Sequence, residues 1–141
     1  MPADLLADLN TRGNRLSVWV VEHEASVERI VAALAAMLGK VREFSYLSFD
    51  EEIVSKAGIK VEETKGTTQD KTVNDWHRDL IDLSAQKLVE LCGVLRERGK
   101  PERKMPKEVD AILAQAVREQ RIDRRQLQPG VASRIDKVLA S

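Results

Sequence analysis

Two adjacent stretches, RLSVWVVE at residues 15–22 and VERIVAALAAML at residues 27–38, decide the fold class of the chain. The first is a short run rich in β-branched and aromatic side chains, which is typical of a strand. Because polar residues hardly alternate within it, it predicts the central strand of a sheet, with Trp19 largely buried. The second repeats apolar residues at spacings of three and four, which predicts a helix. Ser26 is expected to cap that helix and Gly39 to end it.

Further strands and helices are indicated by the same kinds of pattern. Helices are predicted over residues 3–10 and 51–57, and Asp50 is expected to cap the second one. Strands are predicted over 43–49 and 59–64. The second of these alternates apolar with polar side chains, which suits a half-buried strand at the edge of a sheet.

The following stretch contains a loop, a strand and a long helix. Residues 65–71, KGTTQDK, are all polar and predict a mobile loop. Residues 72–83 predict a short helical turn that runs into a strand, and Ser84 is expected to cap a helix that ends at Gly99. Strands that alternate with helices indicate an α/β or α+β fold, with a small sheet of three or four strands flanked by helices.

The segment KPERKMP at residues 100–106 has two prolines and four charged residues, and it predicts a linker. Pro106 suits the first turn of the next helix. One face of that helix carries the apolar residues Val109, Ile112, Leu113, Ala116 and Val117. A last short helix is predicted over residues 131–139.

The predicted organisation is therefore a body over residues 1–99, a linker over 100–105 and a helical appendage over 106–141. The chain has 141 residues with 23 basic and 23 acidic ones, so its formal net charge is zero. The charges are distributed unevenly: residues 96–137 hold 12 basic and 7 acidic residues, and the rest holds 11 and 16. An excess of positive charge near the C-terminus favours an acidic protein surface or a polyanion as a partner.

The expected compartment is the cytoplasm. Cys92 is the single cysteine, so an internal disulfide and a multi-cysteine zinc site are both excluded. The first residues lack the basic and apolar regions of a secretory signal. The longest apolar run, residues 31–38, has eight residues, whereas a membrane span needs about 20. No membrane association is expected.

The sequence contains few motifs that would support catalysis. Its glycines form neither GxGxxG nor GxxxxGK[ST], and no GxSxG turn is present. His23 and His77 follow predicted strand segments, where an α/β sheet gathers ligands, but their spacing matches no metal motif. A metal site would need carboxylates from elsewhere, such as Glu51 or Glu52. No cofactor is expected, and enzymatic activity is disfavoured without being excluded.

Three functions remain open. The leading hypothesis is a non-enzymatic interaction or regulatory module whose appendage, through Ile112 and Leu113, binds a protein partner or a second copy. The first alternative is a nucleic-acid-binding regulator that uses the basic 96–137 region. Its phosphate-binding residues would be Arg118, Arg121, Arg124 and Arg125. The second alternative is a small metal-dependent hydrolase or nuclease that uses His23 or His77.

Overall fold

The structure is a computed structural model that describes residues 15–141. It has an α+β fold, and the described residues form six α-helices and two small antiparallel sheets of three and two strands. This agrees with the mixed fold class that the sequence predicts. The helix predicted over residues 3–10 lies outside the described residues.

The elements follow the chain in nearly strict alternation. The strands are β1 (Leu16–Trp19), β2 (Phe44–Ser48), β3 (Lys60–Glu63), β4 (His77–Ile81) and β5 (Lys100–Lys104). The helices are α1 (Glu24–Ala35), α2 (Glu51–Lys56), α3 (Lys71–Trp76), α4 (Ala85–Arg98), α5 (Pro106–Arg118) and α6 (Pro129–Leu139). A short 3-10 turn, Arg124–Gln126, lies between the last two helices.

Two of the three predicted helix caps are confirmed. Asp50 accepts a hydrogen bond from the Glu52 backbone N–H at 3.1 Å, and Ser84 accepts one from Lys87 at 3.2 Å. The prediction for Ser26 is wrong, because α1 begins two residues earlier and His23 is its N-cap. Ser26 is instead buried in the first turn.

The three-stranded sheet has the order β1-β4-β3, and its strands are antiparallel. The prediction that residues 16–21 form a central strand is therefore wrong, since β4 is central and β1 lies at an edge. The apolar run extends past the end of the strand, which is why it resembled a buried central strand. Val20 and Val21 lie beyond β1 and are 45% and 43% exposed. Trp19 is half-buried rather than largely buried. The edge position predicted for residues 59–64 is confirmed by β3.

One compact unit consists, among the described residues, of 15–19, 46–64 and 77–102. Its core lies on one face of the three-stranded sheet, where alternate side chains point the same way. Helices α2 and α4 cover this face. The core residues are Ile53, Val54, Ile59, Leu80, Leu83, Leu88 and Leu91, with Leu16 and Val18 packed against them.

The second compact unit consists of residues 20–45, 65–76 and 103–141. Its core is helical and is formed mainly by α1, α5 and α6. Small residues of α1 such as Ala32 and Ala35 allow close packing against large side chains from the other two helices. Those side chains include Val109, Leu113, Val131 and Ile135, which are at most 1% exposed.

The segment predicted as a linker over residues 100–105 contains a strand. Residues 100–104 form β5, which pairs with β2 in the two-stranded sheet. Pro101 is compatible with this strand because a two-stranded sheet leaves one edge of each strand unpaired. Residues 106–141 also share their core with α1, so the compact units do not divide the chain at residues 99 and 106.

Candidate functional site

Two clefts lie beside α1 in the second unit, with volumes of about 340 and 310 Å³. Ala25 and Arg29 stand in the walls of both, so the clefts adjoin along this helix. We call them together the α1 groove. Val20, Glu22, His23 and Trp76 also line its first compartment. Ile112, Gln115, Glu119 and Arg121 also line the second.

Arg29 is fixed at the junction of the two compartments by an ion pair with Asp70. Its Nε and Nη2 atoms donate to the two carboxylate oxygens at 2.7 and 3.0 Å. Asp70 is 3% exposed and also accepts from the backbone N–H groups of Thr72 and Val73, so it caps α3. Burial acts to raise the pKa of Asp70, but the hydrogen bonds and charge of Arg29, with the two backbone donors, lower it overall.

The same guanidinium lies over an aromatic ring. Its central carbon is 5.8 Å from the ring centroid of Trp76, which is within the range of a cation–π contact. Trp76 is half-buried and ends α3. The ion pair and the ring together restrict the rotamers of Arg29, so the junction of the groove is a rigid cationic and aromatic surface.

The second compartment carries a carboxylate held by two donors. Gln115 Nε2 and Arg121 Nε each donate to Glu119 at 2.8 Å. These two bonds lower the pKa of Glu119, with Gln115 the larger contributor. Gln120, between Glu119 and Arg121, has φ of 59°, and this turn directs Arg121 back towards Glu119.

Arg121 retains a donor without an acceptor. Its Nη1 atom is buried and has no hydrogen-bond partner within residues 15–141. A buried donor left unpaired costs about 1–3 kcal/mol. Because the atom is buried, this donor is a local cost within the fold and not an exposed contact point.

The binding residues predicted from the sequence do not all lie on the groove. Ile112 is half-buried and lines the groove, as does Arg121. Leu113 is 0% exposed and packs in the helical core, so it is not on an interaction surface. Arg118 is exposed at the end of α5.

The other two predicted phosphate-binding residues, Arg124 and Arg125, bind carboxylates. Arg124 Nε donates to Asp136 at 2.6 Å, and Arg125 Nη2 donates to Asp123 at 3.1 Å. The hydrogen bond to each carboxylate raises the pKa of its arginine. With Arg121 bound to Glu119, three of the four predicted phosphate-binding residues are already paired within the protein.

A serine, a histidine and an aspartate lie together on the sheet, but not as a nucleophilic triad. Ser17 Oγ donates to Asp79 at 3.3 Å, and His77 Nε2 is 3.8 Å from the same carboxylate oxygen. A triad needs the histidine between the other two, so that it can take the proton of the serine. Here the aspartate is central, and His77 Nδ1 lies 2.9 Å from the backbone oxygen of Thr64.

No group of three or more metal-ligating side chains that could hold a metal ion occurs in the described part of the chain. His23 lies in the first compartment of the groove, and its Nδ1 is 3.3 Å from Ser26 Oγ. Over residues 15–141, no helix is long and apolar enough to cross a membrane.

Sequence patterns missed most of the groove because its walls come from distant segments. Glu28 and Arg29 are the two charged residues of the otherwise apolar stretch 27–38, and both line the groove, so they were a signal that the sequence offered. Asp70 lies in a polar stretch and shows no sign of burial in the sequence. Comparisons of the chain with models of protein families, with curated proteins and with solved structures found no match.

Proposed function

We propose that this protein is a non-enzymatic interaction module that binds a polypeptide segment of a partner protein in the α1 groove. The observation that carries the proposal is that Ala25 and Arg29 line both compartments. The joined clefts run along one helix, and an extended or helical segment fits such a surface. Each cleft alone is at the small end of ligand pockets, which hold about 300–1,000 Å³.

The chemistry of the walls supports a peptide over a phosphate backbone. Val20 and Ile112 offer apolar contact to anchoring side chains, and Trp76 offers an aromatic one. Charges of both signs surround them, with Glu119 and Arg121 in the second compartment. A repeating polyanion would be repelled by the carboxylates, whereas a peptide can match both signs.

Arg121 places a positive charge beside Glu119 in the second compartment. Its Nε atom already binds Glu119 at 2.8 Å, so this wall presents both signs of charge and favours a segment that carries both. The proposal thus keeps the predicted role of the C-terminal helical segment in association, with Ile112 and Arg121 as its contributors. Leu113 contributes only through the core.

The nucleic-acid alternative has less support. Three of its four arginines hold carboxylates, and a phosphate would have to compete with each of these. The metal-dependent hydrolase alternative has no observation in its favour among the described residues.

A peptide selection with matched variants tests the proposal. Peptides selected from a random phage-displayed library on the wild-type protein would be titrated against Ala25→Trp and Ala111→Trp. Both alanines are exposed on helices, but only Ala25 lines the groove. We expect the Ala25 variant alone to lose the selected peptides. Equal binding to both variants, or a failure to select any peptide, would contradict the proposal.

A further inference from the structure

Strand β3 lies at one edge of the three-stranded sheet. It pairs with β4 on one side, and within the described residues no strand pairs with its other side. Val61, near its centre, is 51% exposed, although it shares a row with buried Leu80. An unpaired strand edge is a template for another strand, because its backbone N–H and C=O groups lack partners.

The sequence of this edge is complementary to itself. If a second β3 pairs antiparallel about Val61, the two valines stand opposite each other, and Lys60 of each copy stands opposite Glu62 of the other. Lys60 and Glu62 are two residues apart, so they project from the same face of the strand. Two opposite-charge pairs and one apolar pair would form across the new ladder.

We propose that two copies of this chain associate through β3 in this register, so that two three-stranded sheets join into one of six strands. Pairing centred on Lys60 or on Glu62 instead of Val61 would set Lys60 against Lys60 or Glu62 against Glu62, and it would lose the valine pair. Charged residues at a strand edge usually prevent pairing, but they do so by repulsion. Here the opposite signs favour one register and disfavour the others.

The existing ion pairs of these residues are compatible with this arrangement. Lys60 lies 3.4 Å from Asp82, with both side chains mostly exposed, so little is lost if the lysine moves. Glu62 binds Arg15 at 3.3 Å and has further lone pairs for the lysine of a second copy. Because β3 has only four residues, the interface is small and the dimer weak.

Charge exchange tests both the association and its register. In sedimentation velocity over a concentration series, wild-type protein should shift towards a dimer. Lys60→Glu and Glu62→Lys should each weaken the dimer by about tenfold or more, since each places like charges opposite each other. A mixture of the two variants, and the double variant in one chain, should restore association.

A second comparison tests the apolar pair. Val61→Lys should weaken the dimer, whereas Val89→Lys should not, because Val89 is as exposed at 57% but lies on α4. Circular dichroism checks that each variant folds. If Glu62→Lys does not fold, the Lys60→Glu variant alone decides whether the charge pairs hold the dimer together. Wild-type protein that stays monomeric up to about 1 mM, where even a weak pair would show, overturns the proposal. So does a mixture that fails to associate. The Ala25→Trp variant should dimerise normally, so this test stands apart from the peptide test.

Discussion

Arg29 and Asp70 form a two-point ion pair that joins the middle of α1 to the start of α3, with the carboxylate almost entirely buried. The pair holds the side chain that both compartments of the α1 groove share. A buried ion pair stabilises a fold little by itself, but removing one partner leaves the other as an unpaired buried charge, which is destabilising. Arg29 and Asp70 therefore serve mainly to position the groove.

Neutralising Asp70 should destabilise the protein. We expect Asp70→Asn to lower the free energy of unfolding by about 1–3 kcal/mol, less than for a fully buried pair because Arg29 is partly exposed. Urea unfolding followed by circular dichroism measures the change. Glu52→Gln is the matched control, since its pair with Lys56 is exposed and should contribute about 0.3–0.5 kcal/mol. Equal effects of the two substitutions would contradict the role given to Asp70.

The same pair should make stability depend on pH in the acid range. The pKa of Asp70 is lowered in the folded protein, so the unfolded chain binds the proton more readily. Its contribution is fully present above the unfolded pKa of about 3.9 and is lost as pH falls through the lower folded value. We expect the difference in stability between wild type and Asp70→Asn to be constant above about pH 5 and to shrink below about pH 4. Urea unfolding of both proteins across this range tests it, and a difference that grows on acidification would contradict the assignment.

Local patterns predicted the elements that depend on local signals. The helical turn and strand over residues 72–83 appear as α3 and β4, and the caps at Asp50 and Ser84 form as expected. Pairing between distant segments was not predictable in this way. Residues 100–104 carry charges and a proline, yet they form β5 because β2 is available to pair with them.

The candidate site was predicted only in part, for the same physical reason. The amphipathic pattern of α5 identified an apolar stripe, but it could not say which members face the core and which the groove. Leu113 is fully buried in the core, whereas Ile112, the preceding residue, packs against the same core and also lines the groove. The burial of Asp70 depends on its bond to Arg29, 41 positions away in the sequence.

The two members of the α5 stripe should respond differently to a charge. We expect Leu113→Asp to cost several kcal/mol and to abolish cooperative unfolding, because its side chain is fully buried among apolar neighbours. Ile112→Asp loses a partly buried contact with the core, so it should cost less stability than Leu113→Asp and still fold. It should also weaken the binding of peptides selected on the groove. Thermal unfolding and peptide titration separate these effects. A well-folded Leu113→Asp protein would contradict the helical core described here.

Deleting residues 106–141 should resemble Leu113→Asp in its effect. A separate body over residues 1–99, as the sequence predicts, would stay folded after such a deletion. The structure leads to a different expectation, because α5 and α6 cover the buried alanines of α1. We expect residues 1–105 to lose helical signal from α1 and to aggregate. Circular dichroism and light scattering measure the helical signal and the solubility of the fragment. A soluble fragment with its α1 signal intact would favour the predicted division into a body over 1–99 and an appendage over 106–141.

A charge at residue 20 should be tolerated. The predicted central strand implied that Val20→Asp would collapse the fold, but Val20 is 45% exposed and lies beyond β1. We expect the free energy of unfolding to change by about 0.5 kcal/mol or less, as for most surface substitutions. Leu80→Asp is the contrasting variant, since Leu80 is 1% exposed in the central strand. If the Val20→Asp protein unfolds, the prediction of a central strand over residues 16–21 would be favoured again.

The polar loop over residues 65–71 should resist proteolysis more than its composition suggests. Thr68 and Asn74 are joined by hydrogen bonds in both directions, from the Thr68 backbone N–H and to the Thr68 backbone oxygen, each at 2.9 Å. Asp70, near the end of this loop, is buried. Cleavage requires local opening, so trypsin should cut slowly after Lys71 in wild-type protein. It should cut faster in Asn74→Ala, which removes these two bonds and a third from Thr68 Oγ1 at 2.6 Å. Mass spectrometry of timed digests identifies the cut. Rapid cleavage after Lys71 in both proteins would show that these bonds do not hold the loop and that its polar composition alone describes its behaviour.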